Sequence, residues 1–403
     1  MQRHVLHMDL DSFFVSVERL HDSRLEGRPI LIGGTSDRGV VASCSYEARQ
    51  YGIRSAMPMR MARSLCPEAI VIRGNSAAYS KQSNLVTDII QTQVPILEKA
   101  SIDEFYADLT GMDRFFGALT FASTLRQRVI QESGLPISFG LSINKTVSKV
   151  ATGEAKPNNQ RHVNQGDERA FLSPLSVRKI PMVGEKTYQT LRNLGIQHIR
   201  TLQEMPVDML YSVFGKHGKT IWEKAQGVDE SPVQPTQERK SISTERTFDQ
   251  DTADIEKLRS ILMAMVENLA FQLRRGNKLT SCIRIKIRYA DFQTHSQQVS
   301  IPYTASDAIL LAKAKELFER LYDRRVRIRL IGINLSGLVG GGEQYHLFET
   351  CDRNDRLYAA MDQIRNTYGD RSIVRAYGLG ARTIGRGNPF NGEPPPLLPN
   401  RRQ

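Results

Sequence analysis

A chain of 403 residues with 40% hydrophobic content is too long for one ordinary domain, and it can bury real cores, which excludes a disordered polypeptide. Its formal charge of +12 favours a polyanionic partner, and for a long globular chain nucleic acid is commoner than a membrane surface. No apolar run approaches the ~20 residues of a membrane span, no signal-peptide core is present, and Cys44, Cys66, Cys282 and Cys351 lack metal-finger spacing. The expectation is a cytoplasmic protein with reduced thiols and no membrane contact.

In chain order, Val5–Leu10 reads as a buried strand, followed from about Ser12 by a helix with Phe13, Val17 and Leu20 on one face. Residues 29–32 and 39–43 read as short strands, 78–94 as a helix, 102–109 and 137–142 as strands, with a further helix ending before Pro157. This interleaving predicts an α+β or α/β first part. Residues 172–233 are short and helical, and a polar, proline-containing linker follows at 234–240. Beyond it a strand (241–248), a helix with Ile255, Leu258, Leu262, Met265, Leu269 and Leu273 on one face, two strands (281–289, 297–303), a helix (305–322) and a last strand (327–335) give β-α-β-β-α-β. That order is a split βαβ arrangement, a four-stranded sheet backed by two helices.

Asp9 and Asp11 end one buried strand, and Asp103 and Glu104 open another. A buried carboxylate is costly unless it is hydrogen-bonded or bound to a cation, so helix capping by Asp11 and ion pairing of the others compete with metal binding. Neighbouring strand residues face opposite ways, so Asp103 and Glu104 converge only across a bend. Hard oxygen ligands of this kind suit Mg²⁺, and three carboxylates holding two ions suit in-line phosphoryl displacement.

The stretches Met8-Asp9-Leu10-Asp11-Ser12-Phe13-Phe14-Val15-Ser16-Val17-Glu18 and Ser101-Ile102-Asp103-Glu104 resemble the two signature motifs of Y-family DNA polymerases, nearest the DinB type. The resemblance continues through Tyr46-Glu47-Ala48-Arg49, residues 140–149 and Ala155-Lys156-Pro157-Asn158, and covers about 1–340. It implies a multidomain right-hand polymerase: a palm with a ferredoxin-like sheet (1–10 and 75–165), fingers (11–74), a helical thumb (166–233), a linker (234–240), a little finger (241–338) and a flexible tail (339–403). It also implies a DNA-templated, low-fidelity translesion polymerase that acts on primer-template DNA and deoxynucleoside triphosphates. The expected enzyme is monomeric and has no proofreading exonuclease.

By the same resemblance Asp9 and Asp103 bridge two Mg²⁺ ions, Glu104 completes the catalytic-metal site, the Leu10 carbonyl adds a ligand, and Asp11 binds none. Ser43, Tyr46, Arg49 and Lys156 match triphosphate positions, although Tyr46 and Arg49 also read as a helix-surface pair. Lys145, Lys149 and Lys156 recur on one helical face, and for Lys145 and Lys149 a solvated stripe and DNA contact are equally good readings. Of the consecutive Phe13 and Phe14, one packs in the core and the other opens to the pocket. The resemblance makes Phe14 the steric gate against a ribose 2′-hydroxyl, with Phe13 beside it.

Ile180-Pro181-Met182-Val183-Gly184-Glu185-Lys186-Thr187 resembles a helix-hairpin-helix, in which Gly184 and Lys186 contact DNA, but Met182 replaces the usual first Gly. A plain helical connector is the alternative. In Ile283–Arg288 the basic residues Arg284, Lys286 and Arg288 alternate with Ile, and Arg327 and Arg329 repeat the pattern, which predicts one apolar and one cationic sheet face. Gln344-Tyr345-His346-Leu347-Phe348 resembles a sliding-clamp pentapeptide, with Gln344, Leu347 and Phe348 as anchors and the β clamp as partner. A non-catalytic accessory protein and a nucleotidyl cyclase are the competing readings. The retained acids weigh against the first, and the hairpin and cationic sheet against the second.

Overall fold

The computed structural model describes residues 3–112, 117–235, 239–324, 326–341, 352–369, 372–378 and 381. They fall into two compact units that divide at residues 237 and 238, inside the expected linker.

Strands β1 (Val5–Leu10), β2 (Ile30–Gly33), β3 (Val41–Cys44), β4 (Ile70–Ile72), β5 (Ile96–Lys99), β6 (Glu104–Asp108), β7 (Ile137–Ser142) and β8 (Gln160–His162) belong to the first unit. The main sheet has the order β5-β6-β1-β7-β8, antiparallel except for the β7–β8 edge. Without β8, that is the expected ferredoxin-like order. Period-2 alternation sorts β1 between two faces. Leu6, Met8 and Leu10 join Val86, Ile89 and Ile90 of the helix Ser76–Gln91 and Leu125 and Val129 of the helix Ala118–Ser133 in one core. His7 and Asp9 face the other way. There the helix Lys145–Ala155 lies on the sheet, held by bonds from Thr152 Oγ1 to the His7 carbonyl (3.0 Å) and from Ser148 Oγ to the Val5 carbonyl (2.7 Å). It sits so close that a Cβ on Gly140 would lie 2.2 Å from the Ser148 carbonyl oxygen, so only Gly fits there.

The three-stranded sheet β3-β2-β4 has its own core of Leu31, Val41, Cys44, Ala48, Ile53, Met59, Ala62 and Cys66. The segment from 168 to 225 is built of short helices, as expected. Among the described residues Cys44, Cys66 and Cys282 are free thiols, and no helix is long and apolar enough to cross a membrane.

In the second unit β9 (Ser241–Thr252), the helix Ile255–Arg275, β10 (Lys278–Tyr289), β11 (Thr294–Thr304), the helix Asp307–Leu321 and β12 (Ile328–Ser336) follow the expected order. The sheet runs β11-β10-β12-β9, every pairing antiparallel, so each helix joins two parallel strands with a third between them. Leu258, Leu262, Met265, Leu269 and Leu273 pack on Ile283, Ile285, Ile287, Ile331 and Ile333.

A flexible tail throughout 339–403 is not what is found. Val339–Gly340 pairs with Lys278–Leu279, and Asp352–Tyr368 is a helix that buries Tyr358 and Met361. Arg274 fixes that helix by bonding both oxygens of Asp362 (2.6 and 2.9 Å), and it also bonds Asp307 at 2.7 Å. The pentapeptide Gln344–Phe348, the proline run and Arg401-Arg402 lie outside the described residues.

Candidate active site

Asp9 is the penultimate residue of β1, and the register sets it across from Glu104 on β6 and Ser138 on β7. The bend required before Glu104 exists at residues 101–103, where the amides of Ala100 and Ser101 donate to the Glu104 carbonyl at 3.0 and 3.2 Å. The Leu10 amide donates to the Asp103 carbonyl at 3.1 Å, joining the two motifs. Ser101 Oγ donates to Asp103 Oδ1 (2.6 Å) and accepts from the amides of Asp103 (3.2 Å) and Glu104 (3.0 Å). Asp9, Leu10, Asp103 and Glu104 therefore share one end of the sheet.

Their present counter-charges are ammonium groups. Lys156 Nζ lies 2.5 Å from Asp9 Oδ1, and Lys149 Nζ lies 2.7 and 2.9 Å from the two Glu104 oxygens. Lys145 bonds both oxygens of Glu98, at 2.7 and 2.8 Å. Lys145 and Lys149 thus do not form the solvated stripe that was one reading of them: each is paired with an acid. Lys156, moreover, lies one residue beyond the helix that carries Lys145 and Lys149. Burial raises the Asp9 pKa to about 7; Lys156 pulls it down, while Asp103 and Glu104 push it up. Burial also raises Asp103, against its bond from Ser101.

Three carboxylates and a main-chain carbonyl form a hard-oxygen set that suits Mg²⁺. Buried negative charge of this kind is what a divalent ion relieves, so the donors fit the group. Among the described residues no group of three His, Cys, Asp or Glu is already gathered to hold a metal ion. Lys156 and Lys149 occupy carboxylate oxygens that a metal ion would also use.

Asp11 does not cap the following helix; the cap position is Ser12, in left-handed backbone (φ 43°, ψ 45°) with no side-chain cap bond. The Asp11 carboxylate, 1% exposed, accepts from Ser138 Oγ (2.8 Å), the Asn158 amide (2.7 Å) and the Tyr46 hydroxyl (3.2 Å). That leaves the first turn of the helix Phe13–His21 without a side-chain cap beside Ser12 Oγ, which is buried and unpartnered. Arg49 stacks its guanidinium 4.5 Å from the Tyr46 ring centre, both residues are half-buried, and Ser43 is half-buried on β3.

Phe13 packs in the core as expected, but Phe14 does not open to a pocket: they are 2% and 4% exposed. The reason is Tyr79, whose ring stacks on Phe14 at 4.3 Å between centres and whose hydroxyl is held by Glu18 at 2.5 Å.

Away from the carboxylates, Gly184 precedes the helix Glu185–Asn193, Lys186 is exposed in its first turn, and Met182 takes φ 80° with 61% of its surface exposed. The first-Gly position therefore keeps the left-handed backbone that suits Gly, although a bulkier residue fills it. In the second unit Arg284, Lys286 and Arg288 lie on the outer face of β10 as expected. The second cationic strand is not found. The register with both β10 and β9 shifts at Arg329, which breaks the alternation of β12, Arg327 precedes the strand, and Arg329 turns over the Phe292 ring at 4.5 Å. Glu245 on β9 also partly neutralises the face by bonding Lys286 at 2.8 Å.

Sequence reasoning missed Ser101, Ser138, Tyr79, Glu98 and Glu245. Ser101 acts locally on Asp103 and Glu104 inside its own motif, whereas each of the others acts on a partner brought close only by sheet register or helix packing, so no local pattern marks it.

Three family models match the chain: the impB/mucB/samB family at 8–153, its C-terminal domain at 239–347, and a DNA polymerase-iota thumb domain at 178–229. A DNA polymerase IV of Dehalococcoides mccartyi is 38% identical over 92% of this chain and 96% of its own. One of Halorhodospira halophila is 36% identical over 86% and 98%. The solved structure of a Y-family DNA polymerase chimera matches 84% of this chain and all of its own, with a TM-score of 0.75 and 25% identity. With signature acids brought to one sheet end and relatives matched along nearly their whole length, the chain belongs to the Y family of DNA polymerases.

Proposed function

We propose that this DNA-directed DNA polymerase extends a primer on a DNA template, with low fidelity and across damaged bases, by two-metal nucleotidyl transfer. The observation that carries the reading is the register pairing of Asp9 with Glu104 beside Asp103. Asp9, Asp103, Glu104 and the Leu10 carbonyl would hold two Mg²⁺ ions. Such ions, when bound, lower the pKa of the primer 3′-hydroxyl and neutralise charge on the phosphates.

The protein's own groups do the rest. The uncapped turn at Ser12–Val15 offers amides to a triphosphate. Ser43, Tyr46, Arg49 and Lys156 bind its phosphates, and Lys156 passes from Asp9 to phosphate as the site fills. Phe14, held flat against Tyr79, is a rigid wall for the sugar and excludes a 2′-hydroxyl, with Phe13 behind it. Gly184 and Lys186 grip the duplex backbone, and Arg284, Lys286 and Arg288 give the main phosphate-binding face, with Arg327 and Arg329 at its end. In this reading the first unit comprises palm (1–10, 75–165), fingers (11–74) and thumb (166–233), and the second unit contains the little finger (241–338). A sliding clamp engages Gln344, Leu347 and Phe348, and the enzyme works as a cytoplasmic monomer.

Primer extension on an undamaged template and on one with an abasic site tests the reading. The expected result is templated insertion opposite normal bases and continued synthesis past the lesion. Template-independent addition would overturn it.

A further inference from the structure

We infer that Asp11 is a positioning residue for the incoming nucleotide: it aims the Tyr46 hydroxyl from the three-stranded sheet's edge toward the carboxylate end of the main sheet. This rests on the reading of Tyr46 and Arg49 as phosphate ligands.

Asp11 lies two residues beyond Asp9 and outside the metal set, yet it is buried and takes three hydrogen bonds. Its donors come from three separate parts of the chain. Ser138 belongs to β7, the Asn158 amide to the loop after the lysine-bearing helix, and Tyr46 to the first turn of the helix Tyr46–Gln50. The Ser138 and Asn158 bonds fix Oδ2, which leaves Oδ1 pointing at Tyr46 with Lys156 Nζ 3.8 Å away. The main chain is fixed as well: the Asp11 amide donates to the Pro136 carbonyl at 2.9 Å, and Ser16 Oγ donates to the Asp11 carbonyl at 2.7 Å.

A carboxylate so anchored has one remaining freedom, its bond to Tyr46. That bond fixes the ring over which Arg49 lies, so Asp11 sets Arg49 through the ring and holds the Tyr46 hydroxyl, whose one proton it accepts here, where that proton can turn to a phosphate. A pre-set ligand costs less to order on binding, and the gain appears in nucleotide affinity.

The test is steady-state single-nucleotide insertion by the full chain, with Asp11→Asn, Tyr46→Phe, Arg49→Ala and the Asp11→Asn/Tyr46→Phe double variant. Asn keeps acceptor oxygen for Ser138 and Asn158 but turns an N–H donor toward the tyrosine oxygen. Each single variant is expected to raise the nucleotide KM roughly fivefold, more than it lowers kcat. The double variant should be no worse than either single, because one bond is lost in all three. Multiplicative KM effects, or an unchanged KM in Asp11→Asn beside a raised one in Tyr46→Phe, would overturn the inference. Unchanged KM in both Tyr46→Phe and Arg49→Ala would instead overturn the phosphate reading, and the inference with it. If Asp11→Asn does not fold, Ser138→Ala replaces it. It keeps the carboxylate but removes an anchor, and it should raise KM only while Tyr46 retains its hydroxyl. A rise that persists in the Tyr46→Phe background overturns the inference.

Discussion

The ammonium of Lys156 lies 2.5 Å from Asp9 Oδ1, across 147 residues of sequence. Both side chains are mostly buried, at 20% and 17% exposed, so the pair is shielded from water more than a surface ion pair is. Removing one partner leaves the other charge without compensation. Lys156→Ala is expected to lower stability by about 1–3 kcal/mol without divalent ions. Mg²⁺ should restore part of that loss, because it supplies the positive charge that Asp9 needs. Thermal melts of both proteins with and without Mg²⁺ check this; a difference in melting temperature indifferent to Mg²⁺ contradicts it.

Phe14 is wedged between Phe13 and Tyr79, with ring centres 5.5 and 4.3 Å away. Truncation to Ala removes the wall and leaves a cavity. Ribonucleotide insertion relative to deoxynucleotide insertion is expected to rise at least about tenfold, as loss of steric rejection worth roughly 1.4 kcal/mol would give. The assay is single insertion with each triphosphate. An unchanged sugar preference places the gate elsewhere.

The basic face of β10 is modulated by an acid. Glu245 holds Lys286 at 2.8 Å, whereas Arg284 is exposed and bonds only a neutral Gln298 among the contacts described. Arg284→Ala should weaken duplex binding uniformly across sequences and reduce the slope of log K against log salt by about 1. Glu245→Gln should tighten binding, because Lys286 is released to phosphate. Titrations at several salt concentrations distinguish these outcomes from binding that ignores ionic strength.

Much of this architecture was legible in the sequence. Strict alternation marked β10, short runs of apolar residues interleaved with polar or small ones marked β1 and β7, and 3.6-residue spacing marked the helix Ile255–Arg275. The helix Asp352–Tyr368 was not legible, because it buries Tyr358, Met361 and Arg365 while leaving Leu357, Ile364 and Tyr368 exposed, so no clean apolar stripe marks it. Its attachment depends on Arg274, far away in the chain. The metal-site acids were legible as motifs, but their lysine partners were not. Lys145 and Lys149 read equally as a basic stripe or a DNA contact, since spacing along a helix does not say that carboxylates lie underneath. The β12 pattern failed for a related reason: alternation predicts a face only while the register is unbroken, and it shifts against both neighbouring strands at Arg329.

The account stands on Glu104, opposite Asp9 in the sheet and held by Lys149. The direct test is Mg²⁺-dependent extension of a primer on templated DNA, comparing the wild type with Glu104→Ala after confirming that both are folded and bind DNA. The wild type should extend only with a divalent ion, and Glu104→Ala should be slower by roughly a thousandfold, the loss of about 4 kcal/mol of transition-state stabilisation. Extension by Glu104→Ala at the wild-type rate, or a wild type indifferent to Mg²⁺, would contradict it.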